Sequence, residues 1–161
     1  MFPKIPSWEG MHPLVVHFPV ALLLVAPLLV MMGLVLRAHA RGLTIGGLAL
    51  MAMGTAGAWV AILTGEAATE LVKHGAPAVL EAIERHRAAA GNVRTVFTVL
   101  TLLFAGLTWL PERLARRLSP RARLGLTLVL LAAYGGATLL LVKAAHFGGL
   151  LVHEYGIRAP I

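Results

Sequence analysis

The chain contains no cysteine and no aspartate, and only 13% of its residues are charged. Without thiols, disulfides, thiolate-bound metals, iron–sulfur clusters and thioether-attached haem are all excluded, so any cofactor must be held through other atoms. Without aspartate, and with serine only at Ser7 and Ser119, a Ser-His-Asp arrangement has no members to draw on. Neither a P-loop nor a dinucleotide-binding glycine fingerprint is present.

What the chain has in quantity is apolar surface. Of its 161 residues 58% are hydrophobic, and its mean hydropathy of +0.83 is far above that of an ordinary soluble domain. Four apolar runs, at about 13–36, 43–64, 93–110 and 124–145, reach or approach the roughly 20 residues that cross a bilayer. The chain therefore reads as one all-α membrane domain spanning 1–161, a bundle of four transmembrane helices. Ala38-His39-Ala40 resembles a signal-peptide cleavage site, but the preceding run is too long for a signal's apolar core and Lys4 is the only base before it, so the first span is expected to be retained. A formal charge of +7 suggests nucleic acid in a soluble protein. Here the arginines cluster beside apolar segments, as they do where loops meet a cytoplasm or anionic headgroups, and no nucleic-acid partner is expected.

Two short loops carry most of that charge. Arg37 and Arg41 lie between the first two spans, and Arg113, Arg116, Arg117, Arg121 and Arg123 between the last two, with Glu112 the one acid among them. By the positive-inside rule these loops are cytoplasmic and both termini face outward, which predicts a multi-pass protein of the bacterial inner membrane with periplasmic ends. The long outer connection is not a linker, because Glu81, Glu84, Arg85, Arg87 and Asn92 stand among Leu80, Ile83 and alanines, which is helix-forming composition. The third helix is expected to begin near Pro77 and the fourth to run past Lys143 toward Tyr155, both projecting beyond the outer face. In the second span Gly42 and Gly46 form a small-xxx-small pair, followed by Gly47, Gly54, Thr55, Ala58 and Ala61, where helices or a flat ligand can approach the backbone.

Seven histidines stand in a chain with almost no other polar groups in its spans. Six of them, His12, His17, His74, His86, His146 and His153, fall at the outer ends of helices or in the outer connection, and only His39 lies on the other side. A rise of about 1.5 Å per residue puts His12 about 7.5 Å further out than His17, and His153 about 10 Å beyond His146. This gives a deeper layer, His17 and His146, and a shallower one, His12, His86 and His153. Two imidazoles from facing helices are what a six-coordinate haem requires, and without cysteine that haem is b-type. The expected ligands are His17 with His146 for one haem and two of His12, His86 and His153 for a second. Small residues such as Gly54 would let the macrocycle lie against backbone, with Phe18, Met53, Trp59 and Phe147 at its edges. His74 reads as loop and His39 as surface.

The segment His12-Pro13-Leu14-Val15-Val16-His17-Phe18-Pro19 resembles the opening H-P-x-x-V-H-F-P motif of the bacterial membrane family known as domain of unknown function 2231. Thr64-Gly65 at the end of the second span, His86 at the head of the third, and Gly148-Gly149-Leu150-Leu151-Val152 near the end correspond to its remaining motifs, so the likeness covers nearly the whole chain. The resemblance implies a four-helix membrane protein regarded as a candidate for haem binding or electron transfer, and it adds weight to His12, His17 and His86, with Gly148 and Gly149 as cofactor-flanking positions. One departure stands out. The family ending runs V-Y-x-H-G, whereas this chain has Val152-His153-Glu154-Tyr155-Gly156, so tyrosine and histidine have traded places.

The expectation from sequence is thus a membrane electron-transfer subunit carrying one or two b haems near the outer face. It would relay electrons between a periplasmic c-type cytochrome and quinone or a partner membrane subunit, without being an enzyme on its own. Two other classes compete with it: a haem-free structural or assembly subunit of a membrane complex, and a divalent zinc or copper site built from His12, His86 and His153 with Glu154.

Overall fold

The computed structural model describes residues 7–110 and 118–157. Lys4, Glu112, Arg113, Arg116 and Arg117, which entered the charge argument above, lie outside the described residues. A 3₁₀ turn at Glu9–Met11 leads into α1 (His12–Val15), followed by α2 (His17–Val35), a second 3₁₀ turn at Arg37–His39, α3 (Ala40–Glu70), α4 (Pro77–Thr108) and α5 (Pro120–His153). Four of these stretches, from Glu9–Val35 to Pro120–His153, are long and apolar enough to cross a membrane. Among the described residues there is no strand.

Local chemistry sets the boundaries. Pro19 has no N–H to return to the preceding turn, and the helix is interrupted at Val16, dividing α1 from α2. Pro77 occupies the first turn of α4, where its missing N–H is harmless, so the helix starts where the sequence predicts. Ser119 caps α5 by accepting the Ala122 N–H at 3.1 Å, with Pro120 behind it in the first turn. At 32 and 34 residues, α4 and α5 exceed the roughly 20 needed to span a bilayer, as expected for helices that project from it. The projecting part of α4 carries the ion pairs Arg85–Glu81 and Arg87–Glu84 on its exposed surface.

The helices run alternately up and down. Helix α2 packs along α3, α4 packs along α5, and α3 and α4 join the two pairs. The α2–α3 seam closes on glycine: a Cβ at Gly47 would stand 2.7 Å from Val30 Cγ2, and one at Gly54 2.8 Å from Leu23 Cγ. The small-xxx-small pair Gly42 and Gly46 is not that seam, since among the described residues a Cβ at Gly42 would meet nothing within 4 Å and one at Gly46 only a methyl of Leu29, at 3.4 Å. Gly54 accordingly serves helix packing rather than a flat ligand. The core comprises Leu23, Ala26 and Val30 of α2, Leu48 and Met51 of α3, Val93, Phe97 and Phe104 of α4, and Tyr134, Ala137 and Leu141 of α5.

One buried hydrogen bond in that core repairs a defect in the sequence. Pro27, inside α2, removes the N–H that would bond the Leu23 carbonyl, and the Tyr134 hydroxyl donates to that oxygen at 2.9 Å from across the bundle. Tyr134 is otherwise buried edge-on against Phe97, with ring centroids 5.0 Å apart. Tyr134→Phe leaves a buried carbonyl without a donor and is expected to cost about 1–3 kcal/mol. Thermal unfolding in detergent reads this as a lower midpoint. Adding Pro27→Ala, which restores a backbone N–H to Leu23, is expected to recover most of the loss.

Candidate functional site

Antiparallel packing brings the start of α1 beside the end of α3, and the start of α4 beside the end of α5, at one end of the bundle. His12 and His86 meet there. Their ring centroids are 6.2 Å apart and their planes cross at 77°. Each ring is tied to the backbone of a helix other than its own: His12 Nδ1 lies 2.8 Å from the Ala61 carbonyl oxygen of α3, and His86 Nδ1 lies 3.1 Å from the Ala144 carbonyl oxygen of α5.

These bonds fix the chemistry of the rings. A carbonyl oxygen only accepts, so Nδ1 carries the proton in both rings, and in the neutral imidazole Nε2 keeps its lone pair. The Thr64 hydroxyl supports the same assignment at His12. Thr64 is wholly buried and donates back to the carbonyls of its own helix, 3.1 Å from Val60 and 3.0 Å from Ala61. Its oxygen, 3.2 Å from His12 Nδ1, therefore acts as an acceptor. Both imidazoles thus have one nitrogen anchored to backbone and the other available as a ligand, which is the arrangement that orients metal-bound histidines and raises their basicity.

Glycine makes room for both rings. A Cβ on Gly65 would lie 2.9 Å from His12 Cε1, and one on Gly148 would lie 3.1 Å from His86 Cε1. Any side chain at Gly65 would overlap the ring, and at Gly148 His86 would have to shift. His12, Thr64-Gly65, His86 and Gly148 are far apart in sequence, yet they converge on one place.

The other sequence candidates fall elsewhere. His17 and His146, expected to share a haem, are both exposed. His17 turns its Nδ1 back to the Pro13 carbonyl one turn earlier, at 2.7 Å, and the His146 ring lies beside Phe147, with centroids 6.0 Å apart. They make no hydrogen bond or ring contact with each other among the described residues, so the structure does not pair them. His153, the last residue of α5, is exposed, and so is Glu154. Among the described residues no three histidine or carboxylate side chains gather to hold an ion, so the zinc or copper site of His12, His86, His153 and Glu154 is not assembled. Gly149 has nothing within 4 Å of its would-be Cβ. Phe18, Met53 and Trp59, proposed as haem-edge residues, are about half exposed on the outer surface of the bundle. His74 and His39 lie exposed in turns, as the sequence suggested.

Sequence reasoning missed the structural share of Ala61, Thr64 and Ala144, whose backbone or hydroxyl oxygens orient the two rings. Two of those three contributions are backbone carbonyls, which no residue type announces.

Neither the curated proteins nor the solved structures contain a match to this chain. A family model described as a predicted membrane protein, domain of unknown function 2231, matches residues 9–160.

Proposed function

We propose that this chain, which belongs to the domain of unknown function 2231 family of predicted membrane proteins, is a membrane electron-transfer subunit that holds a b-type haem between His12 and His86. The observation carrying this reading is the pairing of two backbone-anchored imidazoles from α1 and α4, with ring centroids 6.2 Å apart.

The number of ligands separates haem from a bare ion. A structural or catalytic zinc takes three or four protein ligands, and this cluster offers two. A porphyrin brings its own four nitrogens and asks the protein for two axial ones, so the donor set fits it. When bound, haem b supplies reversible one-electron exchange at iron. The chain's own residues do the rest. The Ala61 and Ala144 carbonyls hold the rings in one tautomer and orientation, Thr64 secures His12, and Gly65 and Gly148 let both rings lie against neighbouring helices.

Arg37, Arg41, Arg121 and Arg123, at the opposite end of the bundle, support a cytoplasmic placement of that end and a periplasmic placement of the histidines. That orientation suits exchange with a periplasmic c-type cytochrome on one side and quinone or a partner membrane subunit on the other. Optical spectra of the detergent-purified protein test the reading. A Soret band with α and β bands on reduction, and a pyridine haemochrome of haem b, are expected. A colourless protein from haem-supplemented cells would overturn it.

A further inference from the structure

Among the described residues near the histidine end, three bases are matched by acids, and Lys143 instead lies over the Phe147 ring. Lys73 pairs with Glu70, Arg85 with Glu81 and Arg87 with Glu84. Arg94, two turns beyond His86 on α4, has no acid, and its buried Nε has no hydrogen-bond partner among the described residues. Its guanidinium carbon lies 4.5 Å from the centre of the Trp59 ring on α3. The indole N–H of Trp59 donates to Thr98 Oγ1 at 3.2 Å, which holds the ring as a platform across the α3–α4 seam.

This platform faces outward, since Trp59 is 46% exposed and Leu63, one turn along α3, is 53% exposed. Arg94 stands at the start of the apolar part of α4, and the first charged residue beyond Trp59 on α3 is Glu66, about 10 Å further along the helix. The pair therefore sits at the boundary of the hydrocarbon layer, where indole rings partition and a long cationic side chain reaches the headgroups. An uncompensated guanidinium at that depth is costly, and its planar fork matches the oxygens of a phosphate.

We propose that Arg94, stacked on Trp59, is a binding site for the phosphate of an anionic phospholipid, with the acyl chains lying along Trp59 and Leu63. The source is lipid rather than free phosphate because the cation stands on an apolar, outward-facing surface within reach of headgroups.

Native mass spectrometry of the purified full chain tests this, with phosphatidylglycerol, phosphatidylcholine or inorganic phosphate added separately. The wild type is expected to retain phosphatidylglycerol in preference to phosphatidylcholine. Arg94→Gln is expected to weaken that retention about tenfold or more, the worth of one charge-assisted hydrogen-bonded contact. Thr98→Val, which frees the indole without touching the charge, should give a smaller loss in the same direction, and circular dichroism establishes that both variants are helical. Equal retention of the two lipids, unchanged binding by folded Arg94→Gln, or displacement of the lipid by inorganic phosphate would overturn the proposal. Loss of haem from Arg94→Gln with lipid retention intact would also overturn it, by assigning the arginine to a porphyrin carboxylate.

Discussion

His12→Ala and His86→Ala are each expected to remove the haem almost completely from the purified protein, whereas His17→Ala and His146→Ala retain it. The asymmetry follows from the direction of each ring. His12 and His86 face one another inside the bundle with Nδ1 held by carbonyls of α3 and α5. His17 instead bonds its own preceding turn and is exposed. If these two rings held a haem, loss of one would leave it attached through a single imidazole, and a haem so held would be readily lost to detergent. Haem content per chain, measured by pyridine haemochrome, decides between the pairs. Equal loss from His17→Ala would move the site outward and break the account.

The second large effect is expected at Gly65. Valine there would place its Cβ 2.9 Å from His12 Cε1 and 3.1 Å from Nδ1, before its methyl groups are counted. The ring must leave, and with it the bond to Ala61, so Gly65→Val should lose haem as fully as His12→Ala while the helices remain. Gly148→Val should act through His86, where the corresponding contact is 3.1 Å. Gly54→Ala provides the contrast. Its Cβ meets Leu23 in the α2–α3 seam, far from either imidazole, so it is expected to lower the unfolding midpoint and leave the spectrum of the folded fraction unchanged. A Gly65→Val protein with wild-type haem content would show that the observed ring position is not the ligating one.

The four helices were legible because their signals are strong and local. Apolar runs of spanning length, Pro77 at a helix start and the polar residues of the early part of α4 each fix an element without reference to the others, whereas the start of α5 at Pro120, capped by Ser119, is seen only in the structure. That the histidines gather at one end was equally plain. Which of them face inward was not. In a soluble helix an apolar stripe marks the buried side, but α2 is apolar all round, so its sequence does not distinguish core from lipid. His12 and His17, five residues apart, differ by about 140° around a helix, and only one can point into the bundle. The apolar neighbours of His17 report its depth in the membrane and not its direction around the helix. On α5 the same geometry applies. Ala144, whose carbonyl receives His86, lies inward, and His146, two residues on, is turned about 160° away.

The glycines divide along the same line. Gly65 and Gly148 stood out only through the family motif, because a glycine that admits an imidazole and one that admits a leucine are the same letter. The structure separates them by what lies opposite: imidazole at Gly65 and Gly148, and aliphatic side chains at Gly47 and Gly54.

Electron paramagnetic resonance of the oxidised, detergent-purified wild type at low temperature tests the central claim most directly, because it reports the axial ligands of the iron itself. The account predicts a low-spin ferric signal of a haem with two imidazole ligands, from the pair His12 and His86. A high-spin signal from a haem with one protein ligand, or a sample free of haem iron, would contradict it.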